Sequence, residues 1–160
     1  IHANLGNSYL RLGEHKKAAT SFKKAIKLQP KSVELYAYQS KVYFHMNDLE
    51  AAKQTLYEAL RLQPQLGAFH SDLGFVEMKL GNWKDAEKHW LAAVELNPRD
   101  SNAHTRLGSA LGYRGDFVGA TASFQTALQI SPADKFAQGG LMAVQRQMVG
   151  STGIWDKLWK

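Results

Sequence analysis

Apolar positions along this chain recur with helical spacing, and they sort by size into columns that return every 34 residues. Large apolar residues stand at Phe22, Leu56, Trp90 and Phe124. Small residues fill the columns Gly6, Ser40, Gly74, Gly108 and Ala18, Ala52, Ala86, Ala120, with Ala25, Ala59, Ala93, Ala127 beside them. Small side chains let two crossing helices approach, and large ones fill the space left between them. The halves of each unit are separated by Gly13, Asn47, Gly81 and Gly115, the residue types that end a helix in the left-handed conformation. Glu14, Asp48, Asn82 and Asp116 follow; all but Glu14 are good N-cap types for a second helix. Pro30, Pro64, Pro98 and Pro132 close the units, because proline cannot continue a helix. The pattern predicts helix, tight turn, helix, written four times as 1–30, 31–64, 65–98 and 99–132.

These columns resemble the tetratricopeptide repeat: a small residue at Gly6, alanines at Ala18 and Ala25, an aromatic or large residue at Phe22, and proline at Pro30. The resemblance covers residues 1–132 and departs locally. Ser40 replaces glycine, Gln39 replaces the leucine of Leu5, Leu73 and Leu107, and Glu77 stands where Tyr9 and Tyr43 stand. It implies an all-α, right-handed α-solenoid of four helix pairs. The sister repeat that reads RNA has a different length and lacks the glycine–alanine–proline pattern, so no nucleic-acid partner is expected.

Beyond the repeats, residues 133–149 read as a capping helix started by Asp134 and carrying Phe136, Leu141, Val144 and Met148. Such a helix covers the apolar face of the last unit. Gly139 and Gly140 weaken it by roughly 1 kcal/mol each relative to alanine. Residues 150–160 read as a linker and an aromatic amphipathic tail, with Ile154, Trp155, Leu158 and Trp159 on one face. That tail is expected either to dock into a groove, on its own molecule, a neighbouring copy or a partner, or to begin the next element of a longer protein.

The first helix of each unit spends one face on packing. The opposite face points to the inner side of the solenoid, where the resemblance implies ligands are held. Helical phase then gives a candidate surface: Asn4 and Asn7; Tyr38, Lys41 and His45; Asp72, Phe75 and Lys79; Arg106, Ser109 and Tyr113. Rings supply contact area and amides can hydrogen-bond a peptide backbone, which suits an extended or helical segment of a partner protein. Some members of the family clamp the terminal carboxylate of chaperone tails with lysine, asparagine and arginine. Carried across units one to three, those places hold Ala3, Asn7, Tyr38, Ala68 and Asp72, and across units two to four Ala37, Lys41, Asp72, Asn102 and Arg106. One match survives in each frame, so a chaperone carboxylate is not the expected ligand.

Composition narrows the chemistry. There are no cysteines, which excludes disulfides, thiolate metal sites and thiol nucleophiles, and fits a cytoplasmic location. Ile1 falls inside a repeat, which suggests that the true N-terminus precedes it. No apolar run reaches the roughly 18 residues of a membrane span. His2, His70 and His104 share a column with Tyr36, but equivalent atoms of stacked helices lie about 8–10 Å apart. Metal ligands converge within about 2 Å of one ion, so the column is read as packing and no metal is expected. Gly108, Gly112 and Gly115 lack the preceding strand of a phosphate loop, and Gly112 alone has no column to explain it; helical phase turns it to the concave side, where it would make room for a ligand. No nucleophile stands beside a base and an orienting acid, so no cofactor and no catalysis are expected. The expected function is a non-catalytic adaptor. A self-assembling scaffold and the adaptor segment of a larger enzyme are the alternatives. The net charge of +6 is uneven. Before Pro30, Arg11, Lys16, Lys17, Lys23, Lys24 and Lys27 face Glu14 alone, whereas Gln65–Pro98 holds more acids than bases. That asymmetry could steer a partner, or be no more than the solvated outer face of one helix.

Overall fold

The computed structural model describes residues 1–148, and all regular secondary structure among them is helical. The helices are α1 (His2–Arg11), α2 (His15–Leu28), α3 (Val33–His45), α4 (Leu49–Leu62), α5 (Gly67–Lys79), α6 (Trp83–Leu96), α7 (Ser101–Tyr113), α8 (Phe117–Ile130) and α9 (Lys135–Met148). They fall into two compact units, Ile1–Leu80 and the residues from Gly81 on.

The turns follow from four residues. Gly13, Asn47, Gly81 and Gly115 have φ of 72°, 58°, 82° and 86°, a backbone that favours glycine and tolerates asparagine. At the end of α1 the Glu14 N–H reaches back to the Tyr9 carbonyl (2.9 Å) and the Gly13 N–H to Leu10 (3.1 Å), which satisfies carbonyls the helix would leave open. The next helix then starts on a side-chain cap: Asp48 accepts from the Ala51 N–H (3.2 Å) and Asp116 from Gly119 (2.9 Å). Such a cap contributes about 1 kcal/mol. Asn82 holds the same position without a side-chain bond to its own helix, and Glu14 pairs with Lys17 instead.

The histidine column has a structural role that spacing alone did not show. The Tyr36 hydroxyl donates to the Pro30 carbonyl (2.9 Å), and the Gln138 amide to Pro132 (2.9 Å). His70 and His104 place Nε2 3.3 and 3.0 Å from the Pro64 and Pro98 carbonyls. A carbonyl can only accept, so each ring carries its hydrogen on Nε2. Each closing proline is thus tied to the helix that follows it.

In the first unit, Gly6 sits so close to Phe22 that a Cβ there would lie 2.8 Å from the ring. Phe22 is fully buried with Ala18, Ala25, Leu35 and Val42. A second cluster joins Val33, Ala52, Leu56, Ala59, Phe69, Leu73 and Val76. In the second unit Phe124 lies between two glycines: a Cβ on Gly108 would come within 3.0 Å of the ring, and one on Gly140 within 2.3 Å.

The terminal helix differs from its sequence reading. Asp134 does start it, accepting from the Phe136 and Ala137 N–H groups (2.9 and 3.1 Å) and from the Thr105 hydroxyl (2.7 Å). Val144 is buried and Leu141 packs on the same core, as read, but the rest of the buried face is Ala137, Gly140 and Ala143, while Phe136 is 76% exposed and Met148 also faces out. The small residues let α9 close on the Phe124 ring, an approach that larger side chains would block. The two glycines therefore separate: Gly140 is required by contact, and Gly139 faces open space.

Gly140→Ala should lower stability by about 1–3 kcal/mol, because the added Cβ would lie 2.3 Å from a fully buried ring already packed against Gly108. Gly139→Ala should raise it by roughly 0.5–1 kcal/mol. Thermal unfolding of the two variants checks the opposite signs. Gln39 is buried with neither amide atom hydrogen-bonded among the described residues. Gln39→Leu, which restores the residue of its column, should therefore stabilise by roughly 1 kcal/mol in denaturant titration.

Candidate functional site

In the first unit α3 and α5 present side chains at one-turn intervals over a groove of about 510 Å³. Tyr38, Lys41 and His45 come from α3, and Asp72 and Phe75 from α5. Phe44, Leu56 and Val76 are among the apolar residues that complete the lining. The rings are fixed by neighbours. Tyr38 stacks on the buried Phe22 (centroids 5.4 Å apart, planes 10°) yet keeps 41% of its surface exposed. Phe75 packs on Phe44 at 5.2 Å, and the Lys79 ammonium lies over the Phe75 ring at 5.8 Å. His45 stacks on His15 (5.4 Å, 10°) with its edge toward Phe44. Rings, the Lys41 side chain and the Asp72 carboxylate share this groove with the apolar residues.

An ion pair that the sequence did not signal helps fix α5. Glu77, the residue out of place in its column, is buried and lies 3.5 Å from Lys53 of α4. Lys53 also reaches Glu50, at 3.4 Å. Burial pushes the Lys53 ammonium down, but the charge of Glu77 and the hydrogen bond to Glu50 outweigh it and hold the group above the usual lysine range. A single column shows Glu77 as an anomaly. Its partner, 24 residues earlier on another helix, becomes visible only in three dimensions.

The other candidates fall elsewhere. Asn4 and Asn7 lie on α1, outside the groove lining. In the second unit Tyr113 stacks on Trp83 at 4.0 Å, with planes 18° apart, and Arg106 is half-buried. Trp83 was not among the expected residues, although its column is occupied by His15, which pairs with His45 in the same way. Ser109 is not a groove residue: it is 1% exposed and donates to the Thr105 carbonyl (2.8 Å). Where Lys41 reaches out from the equivalent position, so short a side chain stays within the packing around α7, on which α9 also rests. Gly112, expected on the open side, is buried as well. Ile154, Trp155, Leu158 and Trp159 lie outside the described residues.

Sequence models described as tetratricopeptide repeat match residues 1–32, 33–66 and 72–135. The chain belongs to the tetratricopeptide repeat family. No curated protein matches it. Among solved structures, the MamA protein is similar with a TM-score of 0.85 at 20% identity, over 99% of this chain and 84% of that one. YrrB, described as a TPR protein with an unusual peptide-binding site, gives 0.78 at 25% identity, over 92% and 76%. The first TPR of Spaghetti (RPAP3), solved bound to the HSP90 peptide SRMEEVD, gives 0.72 at 17% identity, over 74% and 94%. These likenesses identify the all-α fold of this tetratricopeptide chain.

Removing Glu77 leaves Lys53 largely buried without its nearest interhelical partner, and Glu77→Ala should cost about 1–3 kcal/mol. The Lys53 contribution is complete below the ordinary lysine pKa and disappears as pH rises through the raised folded value. Denaturant titrations across alkaline pH should show this loss in the wild type and a flatter limb in Lys53→Gln.

Proposed function

We propose that this tetratricopeptide chain is a non-catalytic interaction module that holds a segment of a partner polypeptide in the groove between α3 and α5. The observation that carries the reading is the convergence of Tyr38, Lys41, His45, Asp72 and Phe75 on one apolar-floored groove. Tyr38 and Phe75 are pre-oriented by ring contacts, so little side-chain entropy is lost when a ligand covers them. Phe44, Leu56 and Val76 suit an apolar anchor residue of the ligand, and Lys41 and Lys79 at the margin suit acidic residues beside it. The family assignment and the peptide-binding site named for YrrB support the same reading.

Selection from a random peptide library should enrich sequences with an apolar anchor flanked by acids. Truncating a well-packed aromatic contact costs about 2 kcal/mol or more. A Tyr38→Ala, Phe75→Ala variant should therefore bind the selected peptides at least tenfold more weakly by calorimetry, with its helical circular dichroism unchanged. Equal affinity for the variant would place the binding surface elsewhere.

A further inference from the structure

The asymmetric charge noted in the sequence resolves into one helix face. Buried Ala18, Ser21, Phe22 and Ala25 occupy one side of α2. On the opposite side Lys16, Lys23 and Lys27 fall within about 40° of one another and span about 16 Å of the helix axis. Lys24 widens the same arc, and every one of these lysines is exposed. Glu14, the sole acid of this segment, is engaged by Lys17, whose ammonium also lies over Tyr9 at 5.4 Å. Lys16, Lys23, Lys24 and Lys27 have no carboxylate partner among the described residues.

The repeat itself does not ask for this charge. Glu50, Tyr57, Glu58 and Arg61 hold the same four columns on α4, and Lys84, Leu91, Ala92 and Glu95 hold them on α6. On α8 they are Val118, Gln125, Thr126 and Gln129. Elsewhere, two exposed carboxylates are engaged within their own helices, Glu58 by Arg61 and Asp85 by Lys88.

We infer that the outer face of α2 is an electrostatic docking surface for an anionic lipid bilayer. All four cations are lysines, compact and strongly hydrated point charges, without the planar fork that arginine uses for paired recognition of a phosphate or carboxylate. No ring stands among them to stack on a base, and the one hydroxyl in the stripe, Thr20, is spent on the Lys16 carbonyl (3.0 Å). The stripe lies along a single helix and carries no apolar centre of the kind a protein interface buries. A layer of anionic headgroups asks only for point charges brought within a Debye length. Leu28, 71% exposed at the end of α2 beside the Lys24 edge, supplies a shallow apolar contact. The association is peripheral: among the described residues no helix is long and apolar enough to cross a membrane.

Co-sedimentation with vesicles of phosphatidylcholine alone, and of phosphatidylcholine mixed with phosphatidylserine, tests the inference. The chain should partition onto the mixed vesicles only, and less so as salt is raised. Each lysine changed to glutamine should weaken partitioning about fivefold, and all four together by two to three orders of magnitude. Lys23→Gln with Lys27→Gln should do far more damage than Lys84→Gln with Lys135→Gln, and four lysine-to-arginine changes should preserve binding. Wild-type chain that ignores phosphatidylserine vesicles overturns the inference, as does a glutamine variant that binds like wild type. Binding to polyglutamate or duplex DNA as tight as to the vesicles overturns it in favour of an acidic polypeptide or a nucleic acid.

Discussion

In each of the two compact units a phenylalanine ring fills the gap that a glycine leaves on the facing helix: Phe22 against Gly6, and Phe124 against Gly108. A side chain on either glycine would occupy the volume of the ring, so helix spacing and ring position are set together. What else meets the ring differs between the two compact units. Tyr38 of α3 stacks on Phe22, whereas Gly140 of α9 brings backbone directly onto Phe124. Tyr38 and Gly140 stand in the same column of the repeat. One position therefore builds a groove wall in the first unit and closes the core in the second.

The groove follows from that choice. Stacked on a buried ring, the part-exposed Tyr38 lines the groove with Lys41 and His45, and the Phe44–Phe75 pair lines it too. The Lys53–Glu77 pair fastens α5 to α4 from behind with charge, in a column where other units use Tyr9, Tyr43 and Leu111. Both contacts brace the helices that carry the exposed groove residues Tyr38, Lys41 and His45.

Much of this was legible in the sequence because the array is nearly one-dimensional. The left-handed turns at Gly13, Asn47, Gly81 and Gly115, the caps at Asp48 and Asp116 and the ring-on-glycine columns each act within one unit or between adjacent helices. Helical phase also placed Tyr38, Lys41, His45, Asp72 and Phe75 together. It failed at Ser109 and Gly112, where side-chain length and the packing of the last helices decide burial rather than phase. On α9 the reading held for Val144 and Leu141 but not for Phe136 and Met148, because the small residues Ala137, Gly140 and Ala143 make up the rest of the buried face near Phe124. Lys53 and the proline-anchoring role of the histidine column involve polar partners on different elements, which a single column cannot show.

If the Phe22 ring couples α1 to α3, then removing it should loosen both helices at once. Amide hydrogen exchange of Phe22→Ala against the wild type measures this directly, with a cost of about 3–5 kcal/mol expected for the deletion. Protection should fall together in α1, α2 and α3 while α7, α8 and α9 keep theirs. A loss confined to α2, with α1 and α3 as protected as before, would contradict the account.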